Sequence, residues 1–256
     1  VLATKGFNPD GPGPNERGNS RINLTRSLEN SLRRLGTDYV DLYQCHAYDL
    51  STPLDETMAA LDSFVQQGKV RYIGCSNWLA SNIVEAQAIA KIASSTPLVS
   101  LQPQYSLIVR DIEIDILSTC QRHGLGVIVW SPLGGGLLTG KHTKDKAAEG
   151  SRFGRVGEGD IWEMMKRALF TDRNFEIVDK VGEVAKSLGT THTAVSVAWT
   201  VAQSGVTSAI IGPRSVEQLE DNLVAGEITL SDGQLKDLDR ASRSPMTYAV
   251  FLQRGR

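Results

Sequence analysis

Two side chains that can hold or move a proton stand where predicted strands end. Lys5 closes the stretch that starts at Val1, and His46 closes the apolar stretch that starts at Tyr39. A cation beside a weak acid tunes the pKa of that acid, so the pair suits acid–base chemistry. Taken singly, Lys5 also fits a solvated rim residue, and His46 also fits a hydrogen-bonded imidazole of the core.

The other predicted strand ends carry hydrogen-bonding groups, a large aromatic ring and a cation. They are Ser76, Asn77, Gln102, Trp130, Ser131, Gly212 and Arg214. This set suits a pocket for a flat, amide-bearing ring with an anionic tail. The strand ends hold no carboxylate pair of the kind that glycosidases use, no cluster of metal ligands and no Gly-x-Ser-x-Gly motif.

Strand and helix patterns alternate along the chain and would position these residues. Strands are predicted to begin near residues 39, 70, 98 and 127, an interval of about 30 residues that is typical of a βαβ series with a parallel sheet. Apolar periodicity predicts helices over 23–35, 53–67, 79–93 and 112–123. The pattern continues with helices over 175–188, 193–202, 216–225 and 231–241, and with a strand at 208–211.

Local signals place the ends of several elements. Thr52 is the predicted N-cap of the second helix, with Pro53 at its first helical position. Residues 1–5 resemble the middle of a buried strand, which indicates that the chain starts part-way into a domain. The segment 134–172 interrupts the alternation of strands and helices and is predicted to be a Gly-rich, charged loop insertion.

The strand count favours an α/β barrel. Six strands are predicted, whereas a (β/α)8 TIM barrel has eight strands in about 250 residues. The chain would therefore carry the third to the eighth strand, with about two βα units upstream of Val1. An open doubly wound sheet is the second choice, but the sequence shows no Gly-x-Gly-x-x-Gly between a strand and a helix to support it.

Five ordered segments resemble the aldo-keto reductases, and the similarity runs from Val1 to about Ser242. The segments contain Asp41-Leu42-Tyr43-Gln44-x-His46, Gly74-x-Ser76-Asn77, Gln102-x2-Tyr105, Trp130-Ser131-Pro132-Leu133 with Gly140-Lys141, and Gly212-Pro213-Arg214-Ser215-x2-Gln218-x2-Asp221-Asn222. The resemblance implies one (β/α)8 barrel domain that binds an extended NADPH without a Rossmann domain. The missing glycine motif agrees with that implication.

The resemblance implies a catalytic set of four residues, of which the chain shows two. Lys5 matches the lysine that lowers the pKa of a tyrosine general acid, and His46 matches the histidine that orients the substrate carbonyl. The aspartate and tyrosine belong to an Asp-x4-Tyr segment without a counterpart here, because Asp10, Tyr48 and Asp49 lie in other loops. The chain is therefore expected to be an incomplete catalyst, since a missing general acid costs about 10²- to 10⁴-fold in rate.

The resemblance also implies the cofactor contacts. Ser76, Asn77 and Gln102 match residues that hydrogen-bond the nicotinamide carboxamide. Trp130 matches the ring that stacks on the nicotinamide, and Arg214 is placed to receive the 2′-phosphate. The full implied set is Ser76, Asn77, Gln102, Trp130, Ser131, Pro132, Leu133, Gly135, Lys141, Arg152, Gly212, Arg214, Gln218, Asp221 and Asn222.

Some of these residues also have a purely structural interpretation. The alternatives are turn formation for Ser76 and Asn77, core packing for Trp130, a capping box with Ser215 for Gln218, and solvated charge runs for Lys141 and Arg152.

Composition excludes several classes of protein. With 41% hydrophobic residues, the 256-residue chain suits a globular domain rather than a disordered or fibrous one. Its 27 basic and 29 acidic residues give a net charge of −2, so no general attraction to nucleic acid or to an anionic membrane is expected. Cys45, Cys75 and Cys120 lack metal-ligand spacing and fit reduced thiols of a cytoplasmic protein, with no disulfide and no metal site.

The residues and the resemblance together favour an oxidoreductase that passes a hydride from NADPH to a small-molecule aldehyde or ketone, reversibly with the alcohol. The alternative is an NADPH-binding regulatory or interaction subunit of the same fold, of the kind that associates with channels. The substrate pocket would be lined by three variable segments, the 8–20 loop, the 134–172 insertion and the 243–256 tail.

Overall fold

The computed structural model describes residues 1–154, 159–244, 248 and 252. Its strands are β1 (Ala3–Gly6), β2 (Val40–Cys45), β3 (Val70–Ser76), β4 (Leu98–Gln102), β5 (Gly126–Val129) and β6 (Ser208–Ala209). Its α-helices are α1 (Arg21–Leu35), α2 (Leu54–Gln66), α3 (Ala80–Ala93), α4 (Ile116–His123), α5 (Gly159–Leu169), α6 (Asp172–Leu188), α7 (His192–Val201), α8 (Val216–Leu223) and α9 (Asp232–Ser242). Short 3₁₀ helices cover Asp111–Glu113, Gly134–Thr139 and Val224–Gly226. No helix within these described ranges combines the length and the apolar character needed to cross a membrane.

The strands form one sheet in which their order follows the chain from β1 to β6. From β1 to β5 the pairing is parallel, with Gly6 beside Cys45, Cys45 beside Cys75, and Ser76 beside Gln102. The six strands of the described residues and their alternation with helices confirm the α/β prediction. Because consecutive strands are parallel, the residues that follow β1, β2, β3 and β4 meet at one edge of the sheet.

The chain divides into two compact units. The first comprises Val1–Pro103 and Asp115–Ile128, and the second comprises Gln104–Ile114 and Val129–Arg256.

The core of the first unit is formed by strands and by the apolar stripes of its helices. Leu24 and Leu28 of α1 and Leu61 of α2 are almost fully buried, and each contributes about 1.5–3 kcal/mol of burial free energy. Gly36 ends α1 in the left-handed conformation, with a φ of 66°, as the sequence predicts. Leu35 lies in the last turn of α1 and is 45% exposed.

A buried network of charges ties together two segments of the second unit. The Arg110 side chain is 5% exposed and donates to both carboxylate oxygens of Glu113, at 2.7 and 2.9 Å. It also donates to Asp239 and to the Ser242 hydroxyl of α9, both at 2.7 Å. The Tyr105 hydroxyl donates to Glu113 at 2.6 Å. This network fastens the first segment of the second unit to α9.

The start of α2 differs from the prediction. Pro53 is the N-cap, and no side chain caps the helix. The Thr52 hydroxyl, predicted to be that cap, donates instead to the Asp49 carboxylate at 2.7 Å. The same carboxylate accepts the N–H groups of Asn19 and Ser51, at 2.7 and 2.9 Å. The Thr52 hydroxyl is therefore bound by the Asp49 carboxylate and does not cap α2.

Three further element predictions need correction. The predicted helix over 112–123 is divided into the 3₁₀ turn at Asp111–Glu113 and α4, and the division falls where Glu113 binds Arg110. The insertion contains α5 and a 3₁₀ helix rather than irregular chain alone. Val1 and Leu2 are exposed, because β1 begins at Ala3 and lies at one end of the strand order.

Cys45, Cys75 and Cys120 are free thiols, and all three are buried. Burial raises the pKa of Cys45 to about 12 and that of Cys120 to about 11. Burial also raises the pKa of Cys75 well above its ordinary value. The three thiols are therefore protonated at neutral pH.

The Arg110 network predicts a large difference between two arginine substitutions. Arg110→Met should lower the free energy of unfolding by about 3–5 kcal/mol, because it removes the buried cation that faces Glu113 and Asp239. Arg240→Met, which removes an exposed pair with Asp237, should cost less than about 1 kcal/mol. Urea unfolding followed by circular dichroism measures both, and equal losses would contradict the role of the network.

Candidate functional site

Strand pairing places Lys5 and His46 on neighbouring strands of the first unit, two register positions apart. Lys5 is the register partner of Gln44, two residues before His46. The His46 N–H donates to the carbonyl of Gly6 at 2.9 Å, so the pairing continues one residue past β2. Both side chains are partly buried.

The surroundings of Lys5 and His46 lower the pKa of both side chains. Burial lowers the pKa of Lys5. Burial first, and then the positive charge of Lys5, lower the pKa of His46. The side-chain amide nitrogen of Asn8 lies 3.1 Å from Nδ1 of His46. Because that amide nitrogen can only donate, Nδ1 accepts and the neutral ring carries its proton on Nε2.

A hydrogen-bond network joins the carboxyl ends of β2, β3 and β4. The Ser76 hydroxyl donates to the carbonyl of Gln102 at 2.7 Å. The Asn77 side chain donates to the Ser76 hydroxyl at 3.0 Å and to the carbonyl of His46 at 3.1 Å. The Gln102 side chain donates to Oε1 of Gln44 at 3.1 Å. Four predicted site residues of the first unit thus form one connected set, namely His46, Ser76, Asn77 and Gln102.

Asn77 and Ser131 have left-handed backbone conformations, with a φ of 58° at each. Residues other than glycine rarely adopt this conformation, although asparagine tolerates it better than most. Asn77 directly follows β3, so it turns the chain while its amide takes part in the network. At Ser131, two residues past β5, the hydroxyl accepts the N–H of Gly135 at 2.9 Å and holds the turn. The turn-forming interpretation of Asn77 is therefore compatible with a binding role.

A cleft of about 510 Å³ lies in the second unit, a suitable size for a small-molecule ligand. Its lining includes all the residues from Trp130 onward that the resemblance implies as cofactor contacts, namely Trp130, Ser131, Pro132, Leu133, Gly135, Lys141, Arg152, Gly212, Arg214, Gln218, Asp221 and Asn222. Further lining residues are Gly136, Thr139, Thr193, Ile210, Ile211 and Pro213. Trp130 is half-buried and lines the cleft rather than a closed core.

Three cations line this cleft, namely Lys141, Arg152 and Arg214. Burial lowers the pKa of Lys141, and the charges of Arg214 and Arg152 lower it further. The carboxylate of Asp221 also lines the cleft and accepts the Thr191 hydroxyl at 2.6 Å. Like charges that lie close together repel each other, and a bound polyanion relieves that repulsion. The cleft is therefore suited to phosphate groups.

The first turn of α8 contributes to the same cleft. Its N-cap Ser215 accepts the N–H of Gln218 at 3.3 Å, which is half of the predicted capping box. The other half is displaced by one residue, because Oε1 of Gln218 accepts the N–H of Arg214 at 2.9 Å rather than that of Ser215. Gln218 thus holds the backbone of Arg214 while lining the cleft.

Asn222 offers a buried acceptor in the cleft. Its Oδ1 is buried and has no hydrogen-bond partner among the described residues. Leaving a buried polar atom without a partner costs about 1–3 kcal/mol. A ligand that brings an N–H donor to this atom would remove that cost, so the residues present fit a dinucleotide that carries both phosphates and an amine.

Comparison with known proteins identifies the family. The model of the Aldo/keto reductase family matches residues 1–243. This chain belongs to that family.

Relatives of this aldo/keto reductase carry several names. It is 41% identical over 243 residues to a Bacillus subtilis protein named uncharacterized oxidoreductase YrpG, covering 93% of this chain and 71% of the relative. It is 34% identical over 245 residues to the L-glyceraldehyde 3-phosphate reductase of Escherichia coli K12, covering 94% and 69%. It is 33% identical over 229 residues to a probable voltage-gated potassium channel subunit beta of Arabidopsis thaliana, covering 89% and 68%.

Two residues that hydrogen-bond to the predicted site residues, Gln44 and Asn8, were not themselves predicted. Gln44 is a fully buried amide of β2, and a buried amide requires hydrogen-bond partners, so a glutamine in this largely apolar segment could have been recognised as a candidate. Asn8 lies in the 8–20 loop, where the local sequence gives no sign of its contact with His46. The predicted insertion and tail also include residues 155–158, 245–247, 249–251 and 253–256, which lie outside the described residues.

The proximity of Lys5 and His46 predicts a coupled titration. Lys5→Met should raise the pKa of His46, because a nearby cation disfavours the charged imidazolium and the substitution removes it. A pH titration of the His46 ring signals by NMR measures this change. Lys69→Met is the matched control, since Lys69 pairs with Glu29 and should leave the His46 pKa unchanged. An unchanged His46 pKa in Lys5→Met would show that the two groups do not interact.

Proposed function

We propose that this aldo/keto reductase is an NADPH-dependent carbonyl reductase that converts an aldehyde or ketone to the alcohol. The observation that carries the proposal is the cleft where Lys141 lies within the electrostatic influence of Arg152 and Arg214. Such a group of cations suits the phosphates of a dinucleotide. Membership of a family that generally uses NADP(H) supports the same cofactor.

In this proposal each of these cleft residues binds a particular group of the cofactor. Arg214 binds the 2′-phosphate, while Lys141 and Arg152 neutralise the pyrophosphate. Oδ1 of Asn222 accepts a hydrogen bond from the adenine amine, since it is buried without a partner among the described residues. The indole of Trp130 offers a flat, partly exposed face for an aromatic ring of the cofactor.

The residues of the first unit act on the carbonyl group. NADPH, when bound, supplies a hydride for the carbonyl carbon. The neutral His46 donates a hydrogen bond from Nε2–H to the carbonyl oxygen, a role that Asn8 supports by occupying Nδ1. The proton that completes the alcohol then comes from solvent water, because His46 keeps its own proton. The charge of Lys5 stabilises the negative charge that develops on that oxygen. Asn77 anchors the backbone of His46 through its carbonyl and so limits the ring's movement.

A second function is favoured by one of the comparisons. The Arabidopsis relative is named as a probable potassium channel subunit beta, at 33% identity over 229 residues. An NADPH-binding regulatory subunit would need the cation-lined cleft but not turnover. Dinucleotide binding without carbonyl reduction would therefore favour this alternative.

The role of Arg214 predicts a change in dinucleotide preference. Arg214→Ala should weaken NADPH binding by about 10- to 100-fold, because a charge-assisted hydrogen bond contributes about 1.5–3 kcal/mol. NADH binding should change little, since NADH lacks the 2′-phosphate. Titration calorimetry with both nucleotides gives the ratio, and Arg240→Ala, an exposed arginine of α9, is the control. An unchanged ratio in Arg214→Ala would remove Arg214 from this role.

The proposed chemistry predicts carbonyl reduction that depends on the first unit. The chain should reduce aldehydes slowly but measurably above the uncatalysed rate, followed by the loss of NADPH absorbance over an aldehyde panel that includes glyceraldehyde 3-phosphate. His46→Ala should lower kcat/KM by about 10²-fold, the loss expected for one donor to a developing oxyanion. Lys5→Met should also lower kcat/KM. Full activity in both variants would refute the assigned mechanism.

A further inference from the structure

A chain of side-chain amides crosses the buried interior of the first unit. Gln44 is fully buried, and Gln102 is 7% exposed. Nε2 of Gln44 donates to the carbonyl of Cys75 at 3.4 Å. Oε1 of Gln44 accepts the amide N–H of Gln102 at 3.1 Å. Cys75 and Gln102 belong to β3 and β4, so the two amides connect three neighbouring strands.

The backbone carbonyl of Cys75 sets the direction of this chain. A carbonyl can only accept, so Gln44 must turn its NH₂ group toward Cys75 and its Oε1 toward Gln102. Oε1 in turn can only accept, so Gln102 must present its NH₂ group to Gln44. Oε1 of Gln102 is then left at the far end of the chain. No described residue donates a hydrogen bond to this oxygen. It is not one of the fully buried atoms that lack a partner, so it is accessible to a ligand.

The backbone carbonyl of Gln102 is held by hydrogen bonds that do not involve the two side-chain amides. Its carbonyl accepts the Ser76 hydroxyl at 2.7 Å and the N–H of Asn77 at 3.2 Å. These bonds do not involve the side-chain amide, so they do not determine which way the amide faces. The orientation of the Gln102 amide depends on Gln44.

We infer that Gln44 is a positioning residue that presents Gln102 as a hydrogen-bond acceptor and thereby selects a carboxamide over a carboxylate on the pyridine ring of the ligand. The inference rests on the proposed function, because a nicotinamide cofactor is what brings a carboxamide to Gln102. The NH₂ group of a carboxamide can donate to Oε1. A carboxylate has no hydrogen to donate, and its negative charge would face the lone pairs of Oε1.

Loss of Gln44 would remove this selection. Without an acceptor at Gln44, the Gln102 amide can rotate by about 180° and present either its oxygen or its NH₂ group. A carboxylate could then accept from Gln102 about as well as a carboxamide could donate to it.

The test compares the binding of two dinucleotides that differ only in this group, NADP⁺ and nicotinic acid adenine dinucleotide phosphate. The wild-type chain should prefer NADP⁺ by about 10-fold, which corresponds to about one hydrogen bond. Gln44→Met keeps the length of the side chain without its polar groups, and its preference should fall to within about threefold. Gln44→Glu, buried and protonated, retains one donor and one acceptor and should restore most of the preference.

Gln87→Met is the matched control. The Gln87 side chain likewise makes two hydrogen bonds, but both are to the backbone of Leu98, whose carbonyl accepts at 3.1 Å and whose N–H donates at 3.0 Å. Its loss should lower stability without changing the dinucleotide preference. A fall in preference equal to that of Gln44→Met would show that general loosening, rather than amide orientation, is responsible.

An NMR measurement tests the orientation without any ligand. The side-chain amide protons of Gln102 should exchange slowly in the wild-type chain, and they should shift and exchange faster in Gln44→Met. An unchanged Gln102 signal, or an unchanged dinucleotide preference in folded Gln44→Met, overturns the positioning role. If Gln44→Met does not fold, loss of the preference in folded Gln44→Glu overturns it instead. Failure of both dinucleotides to bind the wild-type chain overturns the proposed function, and the Gln102 signal then decides whether Gln44 orients this amide.

Discussion

Backbone hydrogen bonds between parallel strands continue past the ends of the strands, and the arrangement of the site in the first unit depends on them. The His46 N–H binds the carbonyl of Gly6, and the Asn77 N–H binds the carbonyl of Gln102. These bonds fix which residues are neighbours at the edge of the sheet. A slip of one residue would turn each side chain to the opposite face, so the register itself assembles the polar set.

Much of the fold was predictable because its cause is local. The interval between strands and the apolar stripes of the helices determine the elements, and a parallel sheet brings strand ends together, so Lys5, His46 and Gln102 could be recognised as site candidates. Effects that depend on distant partners were not predictable. Asp49, which takes the Thr52 hydroxyl from the start of α2, is itself held by the N–H of Asn19. The predicted helix over 112–123 is interrupted where Glu113 meets Arg110, whose side chain also binds Asp239.

The ionisable side chains of the two units have different electrostatic surroundings. In the first, partial burial and the charge of Lys5 keep His46 neutral, so its ring offers a directed N–H without a charge of its own. In the second, the surroundings of Lys141 include two further cations, and an anion bound among them would reduce their mutual repulsion. Neither condition follows from net charge, which is −2 for the whole chain. Local grouping of charges determines what each unit can bind.

The three buried cysteines make the chemical reactivity of this molecule depend on its opening. Only a thiolate attacks alkylating reagents or peroxides, and the raised pKa values of Cys45, Cys75 and Cys120 suppress that form while the chain is folded. Modification of these sulfurs therefore requires a transient opening of the strands and helix that enclose them. The rate at which free thiols are lost to such reagents then measures how often these elements open.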